Sequence, residues 1–370
     1  MEKILLEDCC EILDFMRVPI TSSDRVEGPY PYYGANGIQD HVADYIFDDE
    51  LVLLSEDGGN FGSKERPIAY RVSGKCWVNN HAHVLKPKEG LDVDYLCYSL
   101  MFYNVGGMVN GATRQKLTQA AMRQMLIPKR SLKEQKYIVD LLTKVVTSKE
   151  KRQQELDELD NLIKARFVEL FGDENNSMGW DTVNIEDVAD VQVGVVIKPA
   201  QYYTDESNGI KAFRSLNIGA GYIKDNDWVY FSLEGHKKNS KSILKENDLL
   251  IVRSGAPGTA CVVPKEYEGC NAIDIIIAHP DTKKVNPHYL FAFTNMPHGK
   301  KQIEEGTGGA AQQHFNVGKY NKMKLMLPPT DKQFEYVDFV KQVDKSKVAV
   351  QKALNETQQL FDSLMQEYFG

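Results

Sequence analysis

Residues 128–172 read PKRSLKEQKYIVDLLTKVVTSKEKRQQELDELDNLIKARFVELFG, and this stretch predicts one long helix. Pro128 ends whatever precedes it, and Ser131 is followed three residues later by Glu134, the spacing of a capping box. Apolar residues then recur at three- and four-residue steps: Ile138, Leu142, Val145, and later Leu156, Leu159, Ile163 and Leu170. Phe171-Gly172 supplies the stop. About forty residues at ~1.5 Å each make a rod of roughly 60 Å, far beyond an ordinary globular helix. So narrow an apolar seam on so long a rod requires a partner helix.

The same chain supplies one. Leu-Met-Leu-Pro at 325–328 echoes Met-Leu-Ile-Pro at 125–128. Gln333 answers Gln135, Val337 answers Val139, Leu354 answers Leu156, and Phe369-Gly370 answers Phe171-Gly172. A repeat of this period sets the architecture before any smaller motif does. The fold expected is α+β, with two repeated α/β domains separated by two long antiparallel helices that form a coiled coil. The divisions read from sequence are 1–130, a first domain; 131–172, a helix; 173–329, a second domain; and 330–370, a second helix. Antiparallel pairing would set Lys149 and Arg152 opposite Asp344, Lys347 and Gln351, a polar patch in mid-coil that fixes register.

Both globular stretches carry short β-like runs broken by glycine and aromatic turns, among them Leu51 to Leu54, Ala69 to Val72 and His83 to Leu85. Leu249 to Val252 takes the place of Leu51 to Leu54, and Ser254-Gly255-Ala256 that of Asp57-Gly58-Gly59. Framework positions repeat while loops diverge, the pattern of one scaffold carrying two surfaces.

The 370 residues suffice for two cores plus extended elements. A net charge of −8 argues against a generic nucleic-acid coat, but permits contact with DNA on a restricted surface. Six cysteines show no C-x-x-C spacing, and with no N-terminal signal sequence they read as buried cytoplasmic thiols. No apolar run approaches the ~20 residues of a membrane span, so no membrane association is expected.

Catalytic motifs are sparse, and no cofactor or metal is expected. Asn286-Pro287-His288-Tyr289 resembles the N-P-P-Y signature of amino-methyltransferases, yet no glycine-rich methyl-donor loop follows an upstream strand; a helix start is the plainer reading. GGNFGSK at 58–64 lacks P-loop spacing. His81 and His83, two apart, would share one strand face with no carboxylate or cysteine to complete a metal set. No Gly-x-Ser-x-Gly elbow occurs.

Recognition residues are better represented. Thr113, Arg114, Gln115 and Lys116 precede the first long helix, and Gln312, Gln313 and His314 precede the second. Arg and Lys suit guanine edges, and Gln suits adenine, in the major groove. Tyr33, Asn36, Asn80 and His81 stand behind them, while Lys237 and Lys238, with Lys241, Lys319, Lys322 and Lys324, can position phosphates. Scattered lysines are also what any solvated face carries.

YYGANG at 32–37, the run from Phe47-Asp48 to Asp57-Gly58-Gly59, GATRQKLT leading to Ile127-Pro128, Leu132-Lys133-Glu134-Gln135, and the Phe-Gly helix ends together resemble the specificity subunit of type I restriction-modification systems. The likeness runs over essentially the whole chain. It implies a non-catalytic reader of double-stranded DNA. Each globular half would be a target recognition domain for one half of a bipartite site. The helical pair would act as a ruler for the unread spacer. Two methyltransferase subunits, which bind S-adenosylmethionine, would dock on the helices, and motor-nuclease subunits would join through that core. Two rivals remain at this stage: a stand-alone methyltransferase or nuclease, and a coiled-coil scaffold whose domains bind proteins.

Overall fold

The computed structural model describes residues 2–111, 114–307 and 314–370. The two long helices are present as Leu132–Phe171 and Thr330–Phe369, each 40 residues. The first begins on the expected capping box: Ser131 N–H donates to Glu134 Oε2 at 2.9 Å, and Glu134 N–H returns to Ser131 Oγ at 3.3 Å. It ends where Gly172, with φ +87°, takes the left-handed conformation that a residue with a Cβ resists.

The chain forms two compact units, Met1–Gln154 with Gln351–Gly370, and Glu155–Val350. Each contains parts of both long helices, and in each those parts run antiparallel. In the first unit Ile138, Leu142 and Val145 are buried in one cluster with Phe361 and Leu364. In the second, Phe167, Leu170 and Phe171 pack with Tyr336 and Val337. The polar contacts sit a few residues from the expected register. Arg152 donates to the Ala353 carbonyl at 3.0 Å in the first unit, and Lys347 pairs with Asp160 at 2.6 Å in the second. The expected facing of Arg152 by Asp344 and Lys347 therefore gives way to a side-chain-to-backbone bond and an outer ion pair.

The first unit holds a six-stranded sheet in the order Cys10–Ile12, Ala82–Pro87, Phe47–Ser55, Ala69–Val78, Glu27–Gly34, Gly37–Val42. Its central strand carries the continuous apolar run Leu51–Leu54, buried on both faces. The second unit splits the corresponding surface. One sheet orders Ala189–Val193, Ile275–Pro280, Leu249–Val252, Ala260–Val262; the other orders Tyr203–Thr204, Val229–Ser232, Gly209–Phe213, Asn271–Ala272.

Matching side chains fasten each sheet to its helix. Gln135, buried, accepts the Asp92 N–H at 2.8 Å and donates to the carbonyls of Gly90 and Arg130. Gln333, buried, accepts the Asn286 N–H at 2.7 Å and donates to Pro328 O at 2.8 Å. Tyr95 Oη donates to Pro128 O and Tyr289 Oη to Met326 O, at 2.9 and 2.8 Å. Short antiparallel pairs close both units: Lys3–Leu5 on Leu126–Pro128, and Thr182–Asn184 on Lys324–Met326. The repeat seen in sequence is a repeat of structure.

Candidate functional site

In the first unit two carboxylates, Glu56 and Asp57, follow the central strand Phe47–Ser55, and the chain at Lys116 and Leu117 pairs with them. Leu117 N–H donates to Glu56 O at 2.7 Å, and Asp57 bridges to Lys116. Lys116 Nζ then lies 3.0 Å from Glu56 Oε1, and Arg114 Nε pairs with Asp57. His81 Nδ1 stands 3.4 Å from the other Asp57 oxygen. Asn36 donates to Gly58 O at 3.0 Å. Gly58 has φ +68°, and a Cβ there would stand 3.1 Å from Arg114 Nε, which accounts for a glycine at this turn.

Beneath this layer lies a buried one. Arg17 Nη1 donates to Glu56 Oε2 at 2.5 Å and to Ala82 O at 2.8 Å. His83, with no exposed surface, spans from Asp14 Oδ2 at 2.6 Å to the Leu117 carbonyl at 2.9 Å. Gln119 donates to the same Asp14 oxygen at 3.0 Å, and Val84 N–H to the other at 2.9 Å. Burial alone would raise the Asp14 carboxyl. Hydrogen bonds from His83, Val84 and Gln119 outweigh it and hold the group below its ordinary value. Glu56 is lowered likewise: burial opposes, and Arg17 and Lys116 prevail. The network fixes the backbone that presents Arg114 and Lys116, whose own side chains remain largely in solvent.

Asp14, Glu56 and His83 offer ligand atoms within 4.8 Å of one another, so carboxylates do approach a histidine, contrary to the sequence expectation. Asp14 is distant in sequence, and His81 sits in the turn before the strand that begins at Ala82, so the two histidines share no strand face. The donors a cation would displace are already in place: the Arg17 guanidinium touches both carboxylates, and Gln119 and His83 occupy Asp14. The arrangement fits a clasp better than a metal centre.

Other expected residues gather nearby. Tyr33 lies next to the end of the strand Glu27–Gly34 and stacks on Tyr70, ring centroids 5.9 Å apart. Tyr33, Asn36 and Tyr70 line an open cleft of about 540 Å³ together with Asn60, Arg66 and Arg71. Asn80 is exposed at the turn tip, and the Gln115 carbonyl accepts Gly58 N–H at 3.1 Å. Thr113 lies outside the described residues.

The second unit builds the same joint from different chemistry. Phe315 N–H donates to Arg253 O at 2.9 Å, as Leu117 does to Glu56, and Ser254 bridges to His314 as Asp57 does to Lys116. This aligns Arg253 with Glu56, and places Leu249 opposite Val52, one residue from the correspondence read in sequence. Where the first unit has a strand acid and loop bases, the second has a strand base. Arg253 pairs with Asp274 through one nitrogen and reaches His314 Nε2 at 2.6 Å with another. Because the guanidinium only donates, His314 Nε2 accepts, and its Nδ1–H is left for Ser254 Oγ at 2.7 Å. Gln312 and Gln313 lie outside the described residues.

Lys237 and Lys238 close a short helix, Leu233–Lys238, with Lys238 Nζ 5.8 Å from the Tyr202 ring centre; no contact among the described residues joins them to His314. Lys322 is committed to Glu186 at 2.5 Å. Asn286 is a helix cap, accepting His288 N–H at 2.9 Å, which disposes of the methyltransferase-like motif.

Sequence reading passed over Asp14, Arg17, Glu56, Arg253 and Asp274. A signal was present: in both halves a charged residue follows directly on a buried apolar strand, Glu56 after Leu51 to Ser55 and Arg253 after Leu249 to Val252.

Residues 1–160 and 178–358 both match the family described as type I restriction modification DNA specificity domain. The chain belongs to that family. A putative type I restriction enzyme specificity subunit of Haemophilus influenzae is 30% identical over 344 residues, covering 90% of this chain and 85% of the relative. The MjaVIII specificity subunit of Methanocaldococcus jannaschii is 19% identical, covering 95% and 89%. In fold, the chain is similar to the type I restriction-modification S subunit from M. genitalium, with TM-score 0.61, 14% identity, and coverage of 100% and 96%. The two matched segments of the family each contain one of the joints described above. No helix among the described residues is long and apolar enough to cross a membrane.

Proposed function

We propose that this chain is the sequence-specific DNA recognition subunit of a type I restriction-modification complex, each globular part reading one half of a bipartite site. The observation that carries the proposal is the duplicated joint. One backbone scaffold presents Arg114 and Lys116 against Glu56 and Asp57 in one unit, and Arg253, Ser254 and His314 in the other. Equal geometry with unlike donors and acceptors is what two different half-sites demand, since base identity is read by donor and acceptor pattern.

The chain is the non-catalytic component. It sets where the chemistry falls, while methyltransferase subunits carrying S-adenosylmethionine flip and methylate the adenine. We take 1–130 and 173–329 as the recognition domains, and 131–172 and 330–370 as the spacer and the platform for two methyltransferase subunits. Motor-nuclease subunits join that core. Thr113, Gln115, Gln312 and Gln313 complete the base-facing sets, with Lys237 and Lys238 on phosphates. The working compartment is the cytoplasm, where the DNA and these partners are. An acidic net charge suits such a subunit, because much of its surface faces protein.

Co-expression with the methyltransferase subunit and genome-wide mapping of methyladenine tests this. A bipartite motif with a fixed unread gap is expected. Methylation without that pattern, or a chain that binds no methyltransferase, would overturn the reading in favour of a scaffold.

A further inference from the structure

In both units the first strand of the main sheet runs out into a pair of exposed apolar residues followed at once by a base. After Cys10–Ile12 come Phe15, 81% exposed, Met16 and Arg17; after Ala189–Val193 come Val196, Ile197, 78% exposed, and Lys198. The second strand runs further before its tip, so the likeness is of position and chemistry rather than residue for residue. Single exposed apolar residues are ordinary. Adjacent pairs at the same strand exit in both copies are not, especially where the surrounding loops differ.

Each tip is anchored to the recognition joint of its own unit. Arg17 holds Glu56, which holds Lys116. Val195 O accepts Asp274 N–H at 3.2 Å, and Asp274 pairs with Arg253, which reaches His314. The second tip is also turned sharply: Lys198 has φ +45°, a left-handed conformation unusual for a residue with a Cβ, immediately before Pro199.

We propose that Phe15–Met16 and Val196–Ile197 are apolar DNA contacts, lying against base edges beside the two joints; the inference rests on the DNA-reading proposal above. Duplex DNA is the occupant favoured because each tip is bonded into the joint that the proposal above sets against DNA, and the exposed Lys198 stands beside the second tip. An apolar side chain in that setting meets thymine methyl groups or the face of a base step.

The test uses the full chain assembled with its methyltransferase subunits and a duplex carrying the motif mapped from wild-type methylation, with Kd measured over a range of salt. Phe15→Ala and Ile197→Ala are expected to weaken binding about tenfold, the scale of one apolar side chain losing its burial. The dependence of log K on log salt should keep its wild-type slope, because no phosphate contact is lost. Phe15→Leu should retain most of the affinity. Alanine variants that bind as wild type overturn the proposal. So does a weakening traced by size exclusion to lost methyltransferase, which would make the tips a protein-docking surface, or one that lowers the salt slope. If the wild-type complex does not bind its mapped duplex, the DNA-reading proposal fails and this one with it.

Discussion

Asp14 and Glu56 are carboxylates kept charged in a nearly dry place by partners they cannot lose cheaply. Both are held below their ordinary values of 3.8 and 4.5 despite burial. A depressed value in the folded state means that the stabilisation is present above the ordinary value and is lost as pH falls below it. Asp14→Asn is therefore expected to cost about 3 kcal/mol near neutrality, the scale of stripping one partner from a buried charged network. Thermal melts should show that difference shrink as pH falls below 3.8, the ordinary value; a gap as wide there as at neutrality would mean that Asp14 acts by shape alone. Lys116, half in solvent, belongs to a different class. Lys116→Ala should leave the melting temperature near wild type while relaxing base preference in the half-site that its unit reads. Arg114, Lys116, Asn36, His81 and His314 stood out in the sequence as candidate contacts, as polar side chains in glycine-rich loops do, and the structure gathers them at the two joints. Asp14 and Arg17 did not stand out: they lie far away in sequence, and only the fold brings them under the loop.

The long helices were the most legible elements, since a capping box, a seam of apolar steps and a Phe-Gly stop all act within a few residues of one another. Their polar contacts were less so. Arg152 finds a backbone carbonyl, Ala353 O, a partner that no side-chain pattern marks. Arg152→Leu should accordingly change stability by no more than about 1 kcal/mol; a large drop in melting temperature would assign the residue to stability rather than register. The two glutamines predict the opposite. Gln135→Ala or Gln333→Ala leaves buried backbone groups at Asp92 or Asn286 unpaired, at a cost of about 2 kcal/mol each. Hydrogen exchange should show faster opening of Val93–Met101 in the first variant and of Pro287–Asn295 in the second. If exchange of those helices is unchanged, the glutamines are not the fasteners they look to be. The sequence echo between Gln135 and Gln333 was visible; what it fastened was not, because its partners are main-chain groups that leave no mark on side-chain identity.

At the scale of the molecule, the repeat governs everything else. Two copies of one joint can diverge independently, since Glu56 and Lys116 are held by partners in the first unit, and Arg253 and His314 by partners in the second. The internal repeat was readable from framework residues, whereas the inversion of charge at its centre was not, because the apolar runs that mark the repeat, Leu51 to Leu54 and Leu249 to Val252, end before Glu56 and Arg253. That independence is the central claim, and methyladenine mapping in cells expressing the complex tests it most directly, with Lys116→Ala and Arg253→Ala made separately. The account predicts that each variant relaxes base preference in one half of the bipartite motif, a different half for each, with the gap unchanged. Relaxation of both halves by either variant, or an unaltered motif in both, would contradict it.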